Sequence, residues 1–413
     1  MKLYAREFYL KKLRPFYQSD LIKVISGIRR CGKSCLLLSV VEELKASGVR
    51  EKDIIYLNLD KRGLKNIKSP QQLESVIDAR VADGDFKYLL VDEVQNVKDF
   101  EEVLNAYREE GNFSIFITGS NSYLLSGELV TKLTGRYVEV SMFTLSFYEF
   151  MGMKRFLGKP VAANPMEEFT AYLRSGGFPK AVEFDDEEAK SIYLGNVIEQ
   201  ILLKDVKGRH KIRNREVFDK VRAYFINNFG TLLSLENLEN YFNNQEKTRV
   251  KRETLKRYLQ ILEDARILYR CPRFDMKSKK SLRGEGKFYL ADTGIYFATN
   301  TDGRINYGPV LENVLYVYLK SFGYEVSVGQ IGSLECDFIA RKNDEYCYIQ
   351  VAMTIMNDRD DAHSTEDREY RPLETVRDNY PKYLFTLDTL LQKRNGIKHL
   401  NLVDFISKGG ELL

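Results

Sequence analysis

The stretch that most limits what this chain can fold into is Gly27-Ile28-Arg29-Arg30-Cys31-Gly32-Lys33-Ser34. The apolar run Leu21–Ser26 (LIKVIS) precedes it, and CLLLSVVEELKASG follows with apolar residues at helical spacing until Gly48. The spacing is G-x-x-x-x-G-K-[ST], in the strand–loop–helix setting it requires. Glycines let backbone amides turn toward an anion, and a helix N-terminus adds positive potential. Gly27, Ile28, Arg29, Arg30, Cys31, Gly32, Lys33, Ser34 and Cys35 are therefore expected to cradle the phosphates of ATP. Lys33 would reach the outer phosphates, and the Ser34 hydroxyl would ligate Mg2+.

A second buried-strand pattern, Lys87–Val91 (KYLLV), ends in Asp92-Glu93. A carboxylate at a strand's carboxyl end suits Mg2+, so Asp92 is the expected metal-side acid. Glu93 beside it is expected to polarise the attacking water. A third strand, Phe113–Thr118 (FSIFIT), runs into Gly119-Ser120-Asn121-Ser122, whose polar side chains are candidates to sense the γ-phosphate. With Asp53–Asp60 and Tyr137–Phe143, about five strands alternate with helices. That order predicts an α/β fold with a mainly parallel sheet and its ligand at the carboxyl edge.

At roughly 100–200 residues per domain, 413 residues allow two to four domains, and 44% hydrophobic with 30% charged residues is a globular balance. No run approaches the ~18 apolar residues of a membrane span, and the opening MKLYAREFYLKKLRPFY lacks a signal peptide's apolar centre, so a cytoplasmic protein is expected. Five cysteines without C-x-x-C spacing read as free thiols, and three histidines argue against a histidine-rich zinc site. The net charge of +4 conceals a segregation. Gln200–Leu290 holds 22 Lys and Arg against 11 Asp and Glu, a local +11 that leaves −7 for the remainder. Such a stretch suggests an anionic partner.

Within it, Ser234–Phe242 and Glu253–Ile267 read as helices, and Leu268–Phe274 and Lys287–Ala291 as strands flanking a basic loop, Asp275–Gly286. Helix, helix and hairpin are the order of a winged helix-turn-helix. Lys251, Arg252, Lys256 and Arg257, together with Lys247 and Arg249, would lie on the second helix and contact phosphates of double-stranded DNA. Lys277, Lys279, Lys280 and Arg283 would extend that surface along the wing. The alternatives are a solvated helix face with a flexible wing, or a contact with an acidic neighbouring domain. Gly176-Gly177-Phe178-Pro179 reads as a turn with an aromatic anchor.

The remaining segment predicts helix Gly308–Phe322, strands Tyr324–Val328, Glu335–Arg341 and Glu345–Thr354, a helix near Leu373–Asn379, and strands Lys382–Leu387 and Ile397–Val403. This α-β-β-β-α-β order resembles the PD-(D/E)xK nuclease core, in which carboxylates hold Mg2+ and a lysine activates water. Glu312, Asp337 and Gln350 stand at the ligand positions of that core. Where the lysine belongs, two residues after Gln350, the chain has Ala352. A degenerate site, serving binding or structure, is the favoured expectation; an active nuclease, or rescue by a migrated lysine such as Lys342, are the alternatives.

With these motifs assembled, nearly the whole chain resembles the AAA-type P-loop ATPases of bacteria and archaea that carry a C-terminal restriction-endonuclease-like domain. The marks are GIRRCGKS, YLLVDEVQ, FITGSNS, LTGRYVEVSMFTLSFYEF, YLRSGGFPKAV and ECDFIARKNDEYCYIQVAMTI. The resemblance implies an ATPase core over 1–150, a helical and winged-helix-like basic region over 151–303, and a degenerate nuclease-like domain over 304–413. It makes Ser120 or Asn121 the γ-phosphate sensor and Arg136 an arginine finger, which would act across a homo-oligomer. Three function classes follow: an ATP-driven switch or motor, an ATP-gated nuclease or restriction-type effector, and a nucleotide-binding scaffold. The intact Asp92-Glu93 pair favours the first over the third, and Ala352 favours the first over the second.

Overall fold

The apolar, β-branched runs that the sequence separates by helices come together as one parallel sheet. The structure, a computed structural model, describes residues 3–81, 84–119, 133, 135–207, 212–245, 250–277, 280–300, 305–356 and 365–413. Its two compact units are Met1–Phe143 and Thr144–Leu413.

In the first unit, α1 (Glu7–Leu13) leads to β1 (Ile22–Gly27), α2 (Lys33–Ala46), β2 (Ile54–Asn58), α3 (Pro70–Asp78), β3 (Lys87–Asp92), α4 (Phe100–Glu109), β4 (Phe113–Thr118) and β5 (Tyr137–Met142). The strands stand in the order β2-β3-β4-β1-β5, and each neighbouring pair is parallel. β1, β3 and β4 are buried at every position, as a sheet covered on both faces requires. Ile55, Leu57, Leu89, Val91, Phe113 and Ile117 share the core with Leu73 and Ile77 of α3 and Leu104 of α4. On β1 the buried Lys23 ammonium donates to Ser19 O (3.1 Å) and Ser114 Oγ (2.9 Å) and lies over the Phe116 ring. Burial pushes it down to about 7.

The second unit begins with α5 (Phe147–Phe156), α6 (Pro165–Ser175) and α7 (Glu187–Ile201). The basic stretch follows as α8 (Arg215–Asn227), β6 (Leu232–Leu233), α9 (Leu235–Asn240), α10 (Arg252–Asp264), β7 (Leu268–Asp275) and β8 (Lys280–Leu290). After α11 (Thr293–Thr299) come α12 (Tyr307–Ser321), β9 (Glu325–Ile331), β10 (Leu334–Lys342), β11 (Glu345–Val351), α13 (Thr365–Thr375), β12 (Lys382–Thr386), β13 (Lys393–Arg394), β14 (Ile397–Asn401) and α14 (Leu402–Ser407). Their strands make a single mixed sheet, β13-β14-β12-β11-β10-β9-β7-β8-β6. Strands from either side of residue 303 thus share one ladder, because β7 pairs in parallel with β9 (Phe274↔Gly329). The chain divides after Phe143, and the sheet of the second unit takes strands from both sides of residue 303.

Three local expectations shift for physical reasons. Most of the expected loop Asp275–Gly286 is strand, since β8 pairs with β7 on both sides of a register shift at Pro272, which has no N–H to give the ladder. The helix expected near Leu373–Asn379 sits earlier, at Thr365–Thr375, ahead of Pro381. The last strand stops at Asn401, whose side chain accepts the Asp404 amide and starts a helix instead. All five cysteines are free. Among the described residues, no helix is long and apolar enough to cross a membrane.

Candidate functional site

β1 ends at Gly27, and the loop that follows turns through left-handed backbone at Arg30 (φ 69°) and Gly32 (φ 106°) before α2 begins at Lys33. Gly27 is dictated by packing as well as by φ: a Cβ there would lie 2.2 Å from Met142 O on β5. Gly32 has no side chain to cap the first turn of α2, which leaves that turn suited to an anion. Lys33 is buried, its Nζ donating to Gly27 O (2.9 Å) and Ile28 O (3.3 Å), so its charge is held across the mouth of the loop. Cys31 is buried, and Ser34 and Cys35 are progressively more exposed.

Asp92 lies two strands away at the same carboxyl edge, roughly 10 Å across at ordinary strand spacing. It is fully buried. Oδ2 accepts from Asn58 Nδ2 (2.7 Å) and Tyr56 OH (3.2 Å), and Oδ1 accepts from the Thr118 hydroxyl. Burial, with the Asp92 charge beside it, pushes the Tyr56 phenol up to about 12. Thr118 also accepts the Glu93 amide (3.1 Å), joining the two acids through one hydroxyl. Glu93 itself is left-handed (φ 59°, ψ 47°), a rare conformation for a non-glycine residue, and Gln95 Nε2 donates to its carboxylate. Oxygen donors from a hydroxyl and a buried carboxylate fit Mg2+.

The fold therefore brings Lys33, Ser34, Asp92 and Glu93 to one sheet edge. It leaves Arg136 at the other. Tyr137 pairs with Ile22 and Met142 with Gly27 in parallel, so Arg136 sits at the amino end of β5, a strand's length from the loop, near Glu109 (3.7 Å). Within one chain it cannot reach the phosphates. Ser120 and Asn121 lie outside the described residues. Asn58, Tyr56 and Thr118, which anchor Asp92, carry no local sequence signal for that role; the register Asn58↔Asp92 supplies the link. A cavity of about 710 Å³ lined by Arg50, Asp53, Asp85 and Tyr88 also lies at the amino edge, away from the loop.

In the second unit Glu312, Asp337 and Gln350 do converge. Asp337 Oδ2 accepts the Val351 amide (2.9 Å), and Gln350 Oε1 accepts the Asp337 amide (3.3 Å). Gln350 Nε2 donates to buried Glu369 (3.0 Å), where a glutamate would instead oppose a like charge. A lysine is present, but not Lys342, which pairs with Glu411. Lys287 of β8 stands between Glu312 (2.9 Å), Glu335 (3.0 Å) and Asp337 (3.5 Å). Burial opposes its charge, yet the three carboxylates outweigh burial and hold the ammonium above its usual range. Asp337 is raised as well, by burial first and then by Glu312. Among the described residues no group of three or more acids, histidines and cysteines is arranged to hold a metal.

The basic helix α10 buries Leu255, Tyr258, Leu259, Ile261 and Leu262 and exposes Lys251, Arg252, Lys256 and Arg257. Arg252 meets Glu239 (3.2 Å). Lys247, Arg249 and Lys279 lie outside the described residues. The Gly176-Gly177 turn is structural: Asp292 accepts the amides of Gly177 and Gly294 (2.8 Å each), and Phe178 is fully buried.

Residues 19–151 match the family of AAA domains, and residues 166–303 match a domain of unknown function. An uncharacterized protein of Haemophilus influenzae is 34% identical over 404 residues, spanning 97% of this chain and 98% of its own. The chain belongs to that protein's family. Its first unit is an AAA-type P-loop ATPase domain. An uncharacterized protein of Methanocaldococcus jannaschii is 29% identical over 333 residues, covering 79% of this chain and 71% of that one. Among solved structures, a Walker-type ATPase of Pyrococcus abyssi superposes with a TM-score of 0.51 at 16% identity, over 72% of this chain and 95% of that one. At that identity the likeness concerns the fold.

Proposed function

We propose that the AAA domain binds ATP with Mg2+ and hydrolyses it, and that its nucleotide state switches the basic and C-terminal parts of the chain. The observation that carries this reading is the Glu93–Thr118–Asp92 relay on the same sheet edge as the Lys33 loop. Loop amides and Lys33 bind the phosphates; Ser34 and Asp92 would hold Mg2+, which neutralises charge on the phosphate oxygens. Glu93, aimed by its backbone and by Gln95, takes a proton from the water that attacks the γ-phosphate, and ADP and phosphate leave. The test is phosphate release by the full chain, with and without duplex DNA. Glu93→Gln should lower kcat about 100-fold or more while nucleotide affinity is kept. Failure of the wild type to release phosphate in either condition rejects the reading.

A role on double-stranded DNA has its support in α10. The order α8, β6, α9, α10 and the β7–β8 hairpin is that of a winged helix, with Lys256 and Arg257 on its exposed face. Changing both to alanine should flatten the salt dependence of duplex binding; an unchanged slope removes this role. The cluster around Asp337 is read as a binding or structural module, since Ala352 offers no amine and Lys287 is committed to three acids. If Arg136 acts on nucleotide, it does so on a neighbouring copy in a homo-oligomer. Five free thiols favour a reducing compartment, the cytoplasm.

A further inference from the structure

The amino-terminal segment before residue 19 lies outside the matched AAA region, yet it touches the phosphate loop. Arg6, the residue before α1, is buried. Its Nη1 donates to Cys31 O within the loop (3.2 Å) and to Phe143 O just beyond β5 (2.7 Å). The guanidinium lies 4.5 Å from the centroid of the Tyr9 ring, and the Tyr9 hydroxyl accepts the Phe143 amide (3.1 Å). The loop is thus held from outside by α1 and against β5, where Gly27 meets Met142.

The consequence follows from peptide geometry. Cys31 C=O and Gly32 N–H belong to one planar trans peptide and point in opposite directions. A donor that fixes the carbonyl away from the loop's centre aims the amide toward it. We infer that Arg6 is a positioning residue for phosphate binding: it orients the Cys31–Gly32 peptide so that the Gly32 amide faces the bound phosphate. It also ties that peptide to Phe143, the last residue before the second unit. This inference rests on the reading of the loop as a nucleotide site.

The experiment measures the affinity of the full chain for a fluorescent ADP analogue with Mg2+, alongside kcat and KM for ATP, in Arg6→Ala, Arg6→Lys and Arg14→Ala. Arg14 secures the same segment through Glu7 and through Glu43 of α2 (2.7 Å), and both of these ion pairs lie away from the loop. Arg6→Ala should weaken analogue binding and raise KM about tenfold, with a smaller change in kcat. Arg6→Lys, which keeps a donor, should recover part of that loss, and Arg14→Ala should stay within about twofold of wild type. A merely structural role would lower the melting temperature and leave the folded fraction's affinity unchanged. If Arg6→Ala does not fold, Arg6→Lys and Arg6→Gln carry the comparison. Affinities equal to wild type in the folded variants overturn this inference alone. A wild type that binds no nucleotide overturns the loop reading and this inference with it.

Discussion

Lys287 of β8 donates to Glu312 of α12 at 2.9 Å, and this contact joins two stretches that the sequence suggests are separate domains. β8 supplies the ammonium, and α12 and β10 supply the acids. Tyr289, two residues on along the same strand, donates to the same Glu312 oxygen (2.8 Å). The hairpin is therefore part of the acidic site's construction as well as of the sheet.

Removing that ammonium leaves Glu312, Glu335 and Asp337 without their shared cation. Lys287→Met should destabilise the second unit by about 3–5 kcal/mol at neutral pH, and adding Glu312→Gln should return part of the loss. The chain has no tryptophan, so urea unfolding is followed by far-ultraviolet circular dichroism. Equal midpoints for wild type and Lys287→Met would contradict the assignment of Lys287 as the cluster's counter-ion.

Asp92, the acid proposed to hold Mg2+, is held in place by Asn58, Tyr56 and Thr118, and a ligand in that role loses affinity for the ion when its supports are removed. Asn58→Ala should raise the Mg2+ concentration needed for half-maximal phosphate release about 10-fold, with little change in nucleotide affinity measured without metal. A titration of phosphate release against Mg2+ reads this directly. An unchanged Mg2+ requirement would mean that Asn58 only fills space.

Lys23 gives the first unit a pH signature. Burial depresses its ammonium from 10.5 to about 7, so the unfolded chain binds more protons than the folded one between those values. Stability from this group is therefore lowest below pH 7 and rises with pH across that window. Between pH 7 and 9 the gain is about 2 kcal/mol, at 1.36 kcal/mol per unit with incomplete titration at the lower end. Lys23→Met should lose this slope while other groups keep theirs. The difference between the two chains, from unfolding midpoints at pH 7, 8 and 9, is the measurement; parallel curves would disprove the shift.

The ATPase domain was the most legible part of the chain. Its strands are continuous apolar runs because a parallel sheet is covered on both faces, and its loop needs glycines where the backbone turns left-handed or meets β5. Asp92-Glu93 stands out for a local reason too, as charge at the end of a buried strand. Arg136 was equally visible as a residue but not as a position. Only the parallel register Ile22↔Tyr137 puts it at the edge opposite the phosphate loop. The sequence reads as two strands and a loop at the β7–β8 hairpin, yet its union with β9 carries no local signature.

By itself, then, the sequence determined the phosphate loop, the alternation of strands and helices, the acid pair, and the absence of a lysine at Ala352. Tertiary structure alone decided that Lys287 fills the acidic site, that Gln350 serves Glu369, that Thr118 couples Asp92 to Glu93, and that Arg6 braces Cys31. The division has a physical cause. Strand burial, glycine conformation and helix period act within a few residues and leave a pattern in composition and spacing. Arg6 and Phe143 are 137 positions apart, and a hydrogen bond between them depends on how the whole sheet closes.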